Sequence, residues 1–415
     1  MGGDSWKTTT LGDVVELKRG YDLPTRDRHD GPYPVVSSSG ISGYHSEAKV
    51  KAPGVVTGRY GTIGEVFYIT DDFWPLNTSL YVRDFKGNNP RFISYFLSTI
   101  NFLAYSDKAA VPGINRNHLH TATVRVPEPK QQQAIACILG SLDDKIELNR
   151  RMNQTIEAMS QAIFKSWFVD FDPVHAKAAG QQPLGLAPHV ASLFPDTFED
   201  YEISEIGEIP SGWQITSLGT ISEKPQYGYT ASANDSQVGP QFLRITDINK
   251  EDWINWRTVP FCEIEPSEHR KYQIHVGDLL IARMADPGHG VVIEEEIDAV
   301  FASYLIRFRL NDSRLDRYLQ YWLRSDAYWN LVRAHQAGST RASLNAQVLA
   351  GFQILLPPLI LLDAFKKIVE ALRRKVVANV RQTNSLSEIR DVLLPKLISG
   401  ELRIPDAERI IGRCT

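Results

Sequence analysis

The chain has 415 residues, 43% hydrophobic and 23% charged, which fits two or three ordinary globular domains and excludes a disordered polymer. A net charge of −4 and a pI near 6.2 argue against a stand-alone nucleic-acid binder, but not against a local basic patch or partners that share phosphate contacts. The scattered Cys137, Cys262 and Cys414 give neither a disulfide framework nor a zinc spacing. The N-terminus has no signal-peptide core, and the greasiest run, Ile354 to Leu362, is broken by Pro357 and Pro358, so a cytoplasmic protein with no membrane partner is expected.

In chain order, the first unit opens at Trp6 with the pattern W-x-x-x-x-L-G-x-[VI], which closes on Leu11-Gly12-Asp13-Val14. Gly54–Gly58, Glu65–Ile69 and Ser79–Val82 read as strands between glycine and proline punctuation, and Pro90 to Leu103 reads as a helix. A polar loop and a last strand end at Val126-Pro127. There follows an amphipathic run from about Gln131 to Phe171, with a heptad-like seam through Ile135, Leu142, Ile156 and Ile163.

Residues 173–212, rich in Pro, Gly and Ala, read as a linker or surface loop. Trp213 to Ile221 then repeats the opening pattern. Gly277–Ile281, Val291–Ile293 and Ser303–Ile306 match the earlier strands, and Leu315 to Val332 matches the earlier helix. A final strand runs into Leu356-Pro357, and a second amphipathic run extends from about Ile360 to Leu402. The tail after Arg403 reads as peripheral.

Shifting the first run by 230 positions lays Ile135 on Phe365, Leu142 on Leu372, Ile156 on Leu386 and Ile163 on Leu393. The chain is therefore a tandem copy, and each long helix spans about 60 Å at 1.5 Å per residue. A duplicated unit implies approximate two-fold symmetry, and duplex DNA is the commonest two-fold object such proteins read. The predicted fold is α/β (α+β): two β-rich domains in a pseudo-two-fold arrangement, separated by two long antiparallel helices that form a coiled-coil-like spacer. The expected boundaries are 1–127, 128–172, 173–212, 213–357, 358–402 and 403–415.

Asn149 and Asn379 are equivalent polar residues inside the stripe. They are either solvated flank residues or a buried polar pair that fixes helix register. In an antiparallel pair about a pseudo-two-fold, the two asparagines are expected to meet.

The repeated tryptophan opening, the Gly207-Glu208-Ile209-Pro210 to Trp213 entry and the Gly58 to Gly64 turn fall in a telling order with the Pro127 to Gln132 helix start and Leu393 to Leu402. Together they resemble the specificity (S) subunits of type I restriction-modification systems, the HsdS family, over nearly the whole chain. The resemblance implies that 1–127 and 213–357 are target-recognition domains, each reading one half of an asymmetric split sequence in double-stranded DNA. It implies that the helices set the spacing between half-sites and dock two modification (methyltransferase) subunits. S-adenosylmethionine, ATP and Mg belong to the modification and restriction (translocase/nuclease) subunits, and this chain carries no cofactor and no catalytic residue.

The residues point the same way, since the chain contains no P-loop, no dinucleotide fingerprint and no N-P-P-[FY] signature of amino-methyltransferases. Gly58, Gly61 and Gly64 suggest a tight hairpin rather than a phosphate cradle.

Base edges are read by Arg, Lys, Asn and Gln, and phosphates are held by Lys, Arg, Ser and Thr. Polar loops with such residues nominate Lys18, Arg19, Arg59, Tyr60, Asn77, Ser79, Asn115, Arg116, Asn117 and His118 in the first copy. In the second they nominate Arg244, Arg283, Ser303, Arg341, Ser343, Asn345 and Gln347. The bland alternative for any one is a solvated surface residue. Two other function classes remain open. One is an enzyme, since Asp30 with Glu47-Ala48-Lys49 and Asp107 with Glu128-Pro129-Lys130 loosely fit a nuclease pattern; the other is a coiled-coil interaction protein that binds no DNA.

Overall fold

The structure, a computed structural model, describes residues 6–107, 113–200, 208–336 and 343–412. It divides into two compact units, Met1–Leu148 with Thr383–Thr415, and Asn149–Gln382. Each of the two long helices, Pro129–Phe168 and Leu359–Ser399, contributes to both units.

In the first unit, Trp6–Thr10 pairs antiparallel with Thr123–Pro127, so the domain's start and end close on each other. A four-stranded antiparallel sheet runs in the order Glu16–Arg19, Ser79–Asp84, Gly54–Gly58, Val66–Ile69. Beside it Tyr33–Ser37 pairs parallel with Trp74–Pro75. The helix Pro90–Ser98, capped by Asn89 and opened by a proline that needs no N–H, lays Phe92, Ile93, Phe96 and Leu97 into the core. Ile135, Leu139 and Leu142 of the first long helix join that core, as do Leu386, Leu393 and Leu397 of the second.

The second unit repeats the plan. Gln214–Ser217 pairs antiparallel with Gln353–Leu356, and the four-stranded sheet runs Gln226–Tyr227, Leu305–Phe308, Leu279–Ala282, Gly290–Val292. Gln241–Leu243 pairs parallel with Ala299–Phe301. The three matched strand pairs expected from the sequence thus hold the same places in the two sheets. The expected helix from Leu315 to Val332 is two helices, Leu315–Trp322 and Asp326–Gln336, and the first copy's helix stops at Ser98.

Within the second unit the long helices pack antiparallel. As the first helix climbs through Asn149, Asn153, Glu157 and Phe164, its partners descend through Gln382, Asn379, Arg373 and Phe365. In the first unit Asp143 meets Arg390 at 2.9 Å. Asn149 and Asn379 are both buried, at 1% exposure each. They do not bond to each other as expected. Asn149 donates to Gln382 at 2.9 Å and Asn379 donates to Asn153 at 2.7 Å, because the helices are staggered by about a turn relative to the asparagine pair.

Two further expectations are corrected. The described residues of the stretch 173–212, namely 173–200 and 208–212, are not merely a linker or surface loop. Asp172–Ala178 and Pro188–Ala191 are helices, and Phe198–Asp200 pairs with Glu208–Pro210. Val174 and Phe194 are fully buried in the second unit's core. Pro173 and Pro188 stand at helix N-termini, where they start structure rather than break it. The tail is not peripheral either: Ile404–Ile411 is a helix whose Ala407 is fully buried in the first unit's core.

The duplicated tryptophans explain themselves in this packing. Trp213 packs tilted against Phe168 and edge-on against Phe171, where the first long helix ends. Trp6 lies against Gly400, where the second ends in a left-handed turn at φ +78°. Each opening tryptophan therefore seats the end of the other copy's helix.

Candidate nucleic-acid interface

The first unit gathers seven of its nominated residues around one cleft of about 560 Å³: Lys18, Arg19, Arg59, Tyr60, Asn115, Arg116 and Asn117. They reach it from the edge strand, the turn after Gly54–Gly58 and the start of the helix Arg116–His120. Asp22 is the cleft's acidic residue; it pairs with Arg19 at 3.8 Å and accepts from the Asn77 amide. The rim is thus predominantly cationic although the chain is acidic overall, as a local phosphate-facing surface requires.

Ser79 does not belong to this surface. It is fully buried, and its hydroxyl donates to the Leu76 carbonyl at 2.8 Å. The strand register turns it inward, a choice that a polar residue type does not reveal. His118 is exposed in the middle of its short helix and does not line the cleft. Next to it, burial and the nearby Arg116 pull the His120 imidazole below its ordinary value, in keeping with its Nε2 accepting from the Leu17 N–H at 3.0 Å.

The framework of this cleft is built again in the second unit. Arg59 donates its backbone N–H to the Thr78 carbonyl at 2.9 Å, and its own carbonyl accepts from Ile114 at 3.0 Å. Arg283 does the same with Tyr304 at 2.9 Å and Leu344 at 2.9 Å. Tyr21 and Tyr229 each donate a backbone N–H at 2.8 Å, to Pro75 and Phe301 respectively. Asn115 and Asn345 both cap the short helix that follows, accepting from Asn117 at 3.0 Å and Val348 at 2.9 Å.

The other second-copy candidates lie as follows. Ser343, Asn345 and Gln347 are exposed, and Ser303 is half-buried next to the exposed Tyr304. Arg244 makes a two-pronged pair with Asp247, 3.0 Å for each bond, so that edge of its guanidinium is already occupied. Arg341 lies outside the described residues.

Sequence reasoning missed Gly20 and Gly228. A Cβ at Gly20 would stand 2.2 Å from the Leu76 carbonyl oxygen, and one at Gly228 would stand 2.2 Å from that of Ala302. The edge strand must approach that backbone closely to form the cleft wall, so only glycine fits. The signal was a Gly-Tyr dipeptide repeated in both copies, Gly20-Tyr21 and Gly228-Tyr229.

Each domain is also fastened to a long helix by an arginine at the same place on its short helix. Arg91 grips Asp144 at 2.6 Å and the Gly140 carbonyl at 3.1 Å. Arg317 grips Glu370 at 2.7 Å and Glu294 at 2.6 Å. In the second unit this joins a buried network in which Arg373, 1% exposed, bridges Glu157 at 2.6 Å and Glu294 at 2.5 Å. Burial raises the Glu294 carboxyl, but the hydrogen bonds and charge of Arg373, joined by Arg317, outweigh it and hold the group below its ordinary value.

Residues 3–158 match a family model described as the type I restriction modification DNA specificity domain. The chain is 25% identical to the HindI type I restriction enzyme specificity subunit of Haemophilus influenzae, over 72% of this chain and 73% of that one. It is 23% identical to the MjaIX specificity subunit of Methanocaldococcus jannaschii, over 97% and 94%.

The chain is thus similar to the specificity subunits of type I restriction-modification systems. Its fold is also that of the crystal structure of a type I S subunit from M. genitalium, with a TM-score of 0.58 at 15% identity, covering 96% of this chain and 97% of that one. The cleft of the first unit and the matching framework of the second are the candidate recognition surface. Among the described residues, no cluster of three or more His, Cys, Asp or Glu could hold a metal, and no helix is long and apolar enough to cross a membrane.

Proposed function

We propose that this chain is the DNA-reading subunit of a type I restriction-modification complex, with each of its two recognition folds reading one half of an asymmetric, bipartite duplex target. The observation that carries this reading is the duplicated framework. The same backbone bonds position Arg59 and Arg283, while the side chains around them differ. Equivalent scaffolds with divergent polar rims suit two half-sites of different sequence.

The two long helices set the distance between half-sites, so a few base pairs between them go unread; half-sites on one face of B-DNA lie about 34–36 Å apart. The helices also dock two methyltransferase subunits. Those subunits bring S-adenosylmethionine and methylate adenine, and restriction subunits bring ATP, Mg and cleavage, all in the cytoplasm. This chain contributes position and sequence choice.

Selection from a random duplex pool by the chain with its modification subunits, at several salt concentrations, tests the reading. The expected result is one split sequence with unequal halves and a steep salt dependence, with methylated-base mapping finding the same sequence in cells. A single uninterrupted motif, no enrichment, or cleavage or methylation by the lone chain would overturn it.

A further inference from the structure

The two frameworks differ in many of their side chains. The hydrogen-bond framework aligns Lys18 with Gln226, Tyr60 with Met284 and Asn77 with Ser303. Three polar residues remain the same, Arg59 with Arg283, Asn115 with Asn345 and Tyr21 with Tyr229. The asparagines are spent on capping, with their side-chain oxygens taken by backbone N–H groups. Among the described residues of the framework, the arginine is then the shared cation.

Its presentation is also shared. The backbone N–H and carbonyl of each arginine are both bonded, which fixes the Cα. Each guanidinium lies against a tyrosine ring, Arg59 4.5 Å from the centre of Tyr60 and Arg283 4.9 Å from that of Tyr227. The rings come from different places in the chain, a following residue in one copy and the edge strand in the other, yet the cation is held in both. No carboxylate among the described residues pairs with either arginine, and the Nε of Arg283 is buried without a hydrogen-bond partner.

We propose that Arg59 and Arg283 are matched phosphate anchors, each gripping one backbone phosphate at the corresponding place in its half-site, while the divergent residues around them read bases. The assignment rests on the DNA-reading function proposed above. Unequal half-sites share no required base, but they share the phosphate chain, and a side chain kept the same on both scaffolds suits what both ligands have in common. Phosphate contacts position a protein without carrying sequence information. A planar guanidinium with an unoccupied edge matches two phosphate oxygens, and no ion pair has to break first.

The test uses the full chain with its modification subunits. Affinity for the selected duplex and for a scrambled duplex is measured against salt for wild type, Arg59→Ala, Arg283→Ala and the lysine variants, and the preferred sequence is reselected for each. Each alanine variant is expected to weaken both duplexes by the same factor, on the order of tenfold. Its salt slope should fall by about one unit with an unchanged selected sequence, and lysine should restore most of both losses. Where alanine lowers the melting temperature, Arg59→Gln and Arg283→Gln keep the stem on the ring and remove the charge.

Loss of preference at one base position, weakening confined to the selected duplex, or unchanged affinity and slope in a folded variant would overturn the assignment. A wild-type complex that selects no sequence would instead defeat the DNA-reading function, so the two failures are distinguishable.

Discussion

Asn379 donates its side-chain amide to the Oδ1 of Asn153 at 2.7 Å, with both residues buried in the seam between the long helices. Amides inside an apolar seam tolerate one stagger of the helices and penalise the others, since any slip leaves buried polar atoms unpaired. Asn379→Leu strands the Asn153 carbonyl and should cost about 1–3 kcal/mol in urea unfolding. Adding Asn153→Leu should recover part of that loss while lowering hydrogen-exchange protection along the seam. A double variant with wild-type protection would remove the register role.

The Arg373 network makes a larger demand. Arg373→Met removes the arginine that bridges the buried Glu157 and Glu294, leaving Arg324 beside the first and Arg317 beside the second. Removing one partner of such a buried pair should cost about 3–5 kcal/mol. Combining Arg373→Met with Glu157→Gln and Glu294→Gln should restore much of the stability, as read by thermal melts. If the triple variant is no better than the single, the loss comes from packing of the long side chain and not from charge.

Glu294 also gives a pH dependence with a definite sign. Its folded-state value lies below the ordinary 4.5, so the unfolded chain takes up this proton at a higher pH than the folded one. Its contribution is complete above about 4.5 and is lost as pH falls through the depressed value. Urea midpoints of the wild type should fall as pH drops below that range, and Glu294→Gln should flatten this part of the profile. An unaltered slope in the variant would count against the assignment.

Gly20→Ala and Gly228→Ala should each disturb their own cleft. The added carbon would meet a backbone carbonyl in both cases, so relief requires the edge strand to move. Each should destabilise its fold by about 1–3 kcal/mol. Each should also weaken selection of one half-site and spare the other. Equal damage to both half-sites would show that the glycines act on the whole chain.

Trp213→Ala removes a buried ring that meets both Phe168 and Phe171. The cost should be about 3–5 kcal/mol. The packed stretch 173–200 loses its anchor, so limited proteolysis should move there. Wild-type resistance of that stretch would place its anchorage elsewhere.

The tandem copy was legible because backbone structure follows local pattern. Trp6 and Trp213 recur with the same Leu-Gly beyond them, and Ile135 and Phe365 hold the same stripe position. The strand pairs could be matched for the same reason. The cleft was partly legible. Arg59, Asn115 and Arg116 announced themselves as polar loop residues, while Ser79 and Arg244 looked the same in type and are turned inward or already paired. The folded nature of 173–200 was hidden because helix-starting prolines and linker prolines look identical until Phe194 finds a core.

By itself, then, the order of amino acids determined the periodicities, the repeat and the polar character of the loops, since these depend on neighbours a few positions apart. Only the tertiary structure decided which arginine keeps an unoccupied edge, which asparagine bonds which, and that each opening tryptophan seats the end of the other copy's helix. Those outcomes turn on desolvation and partner geometry between residues far apart in the chain, where a shift of one helical turn exchanges every partner.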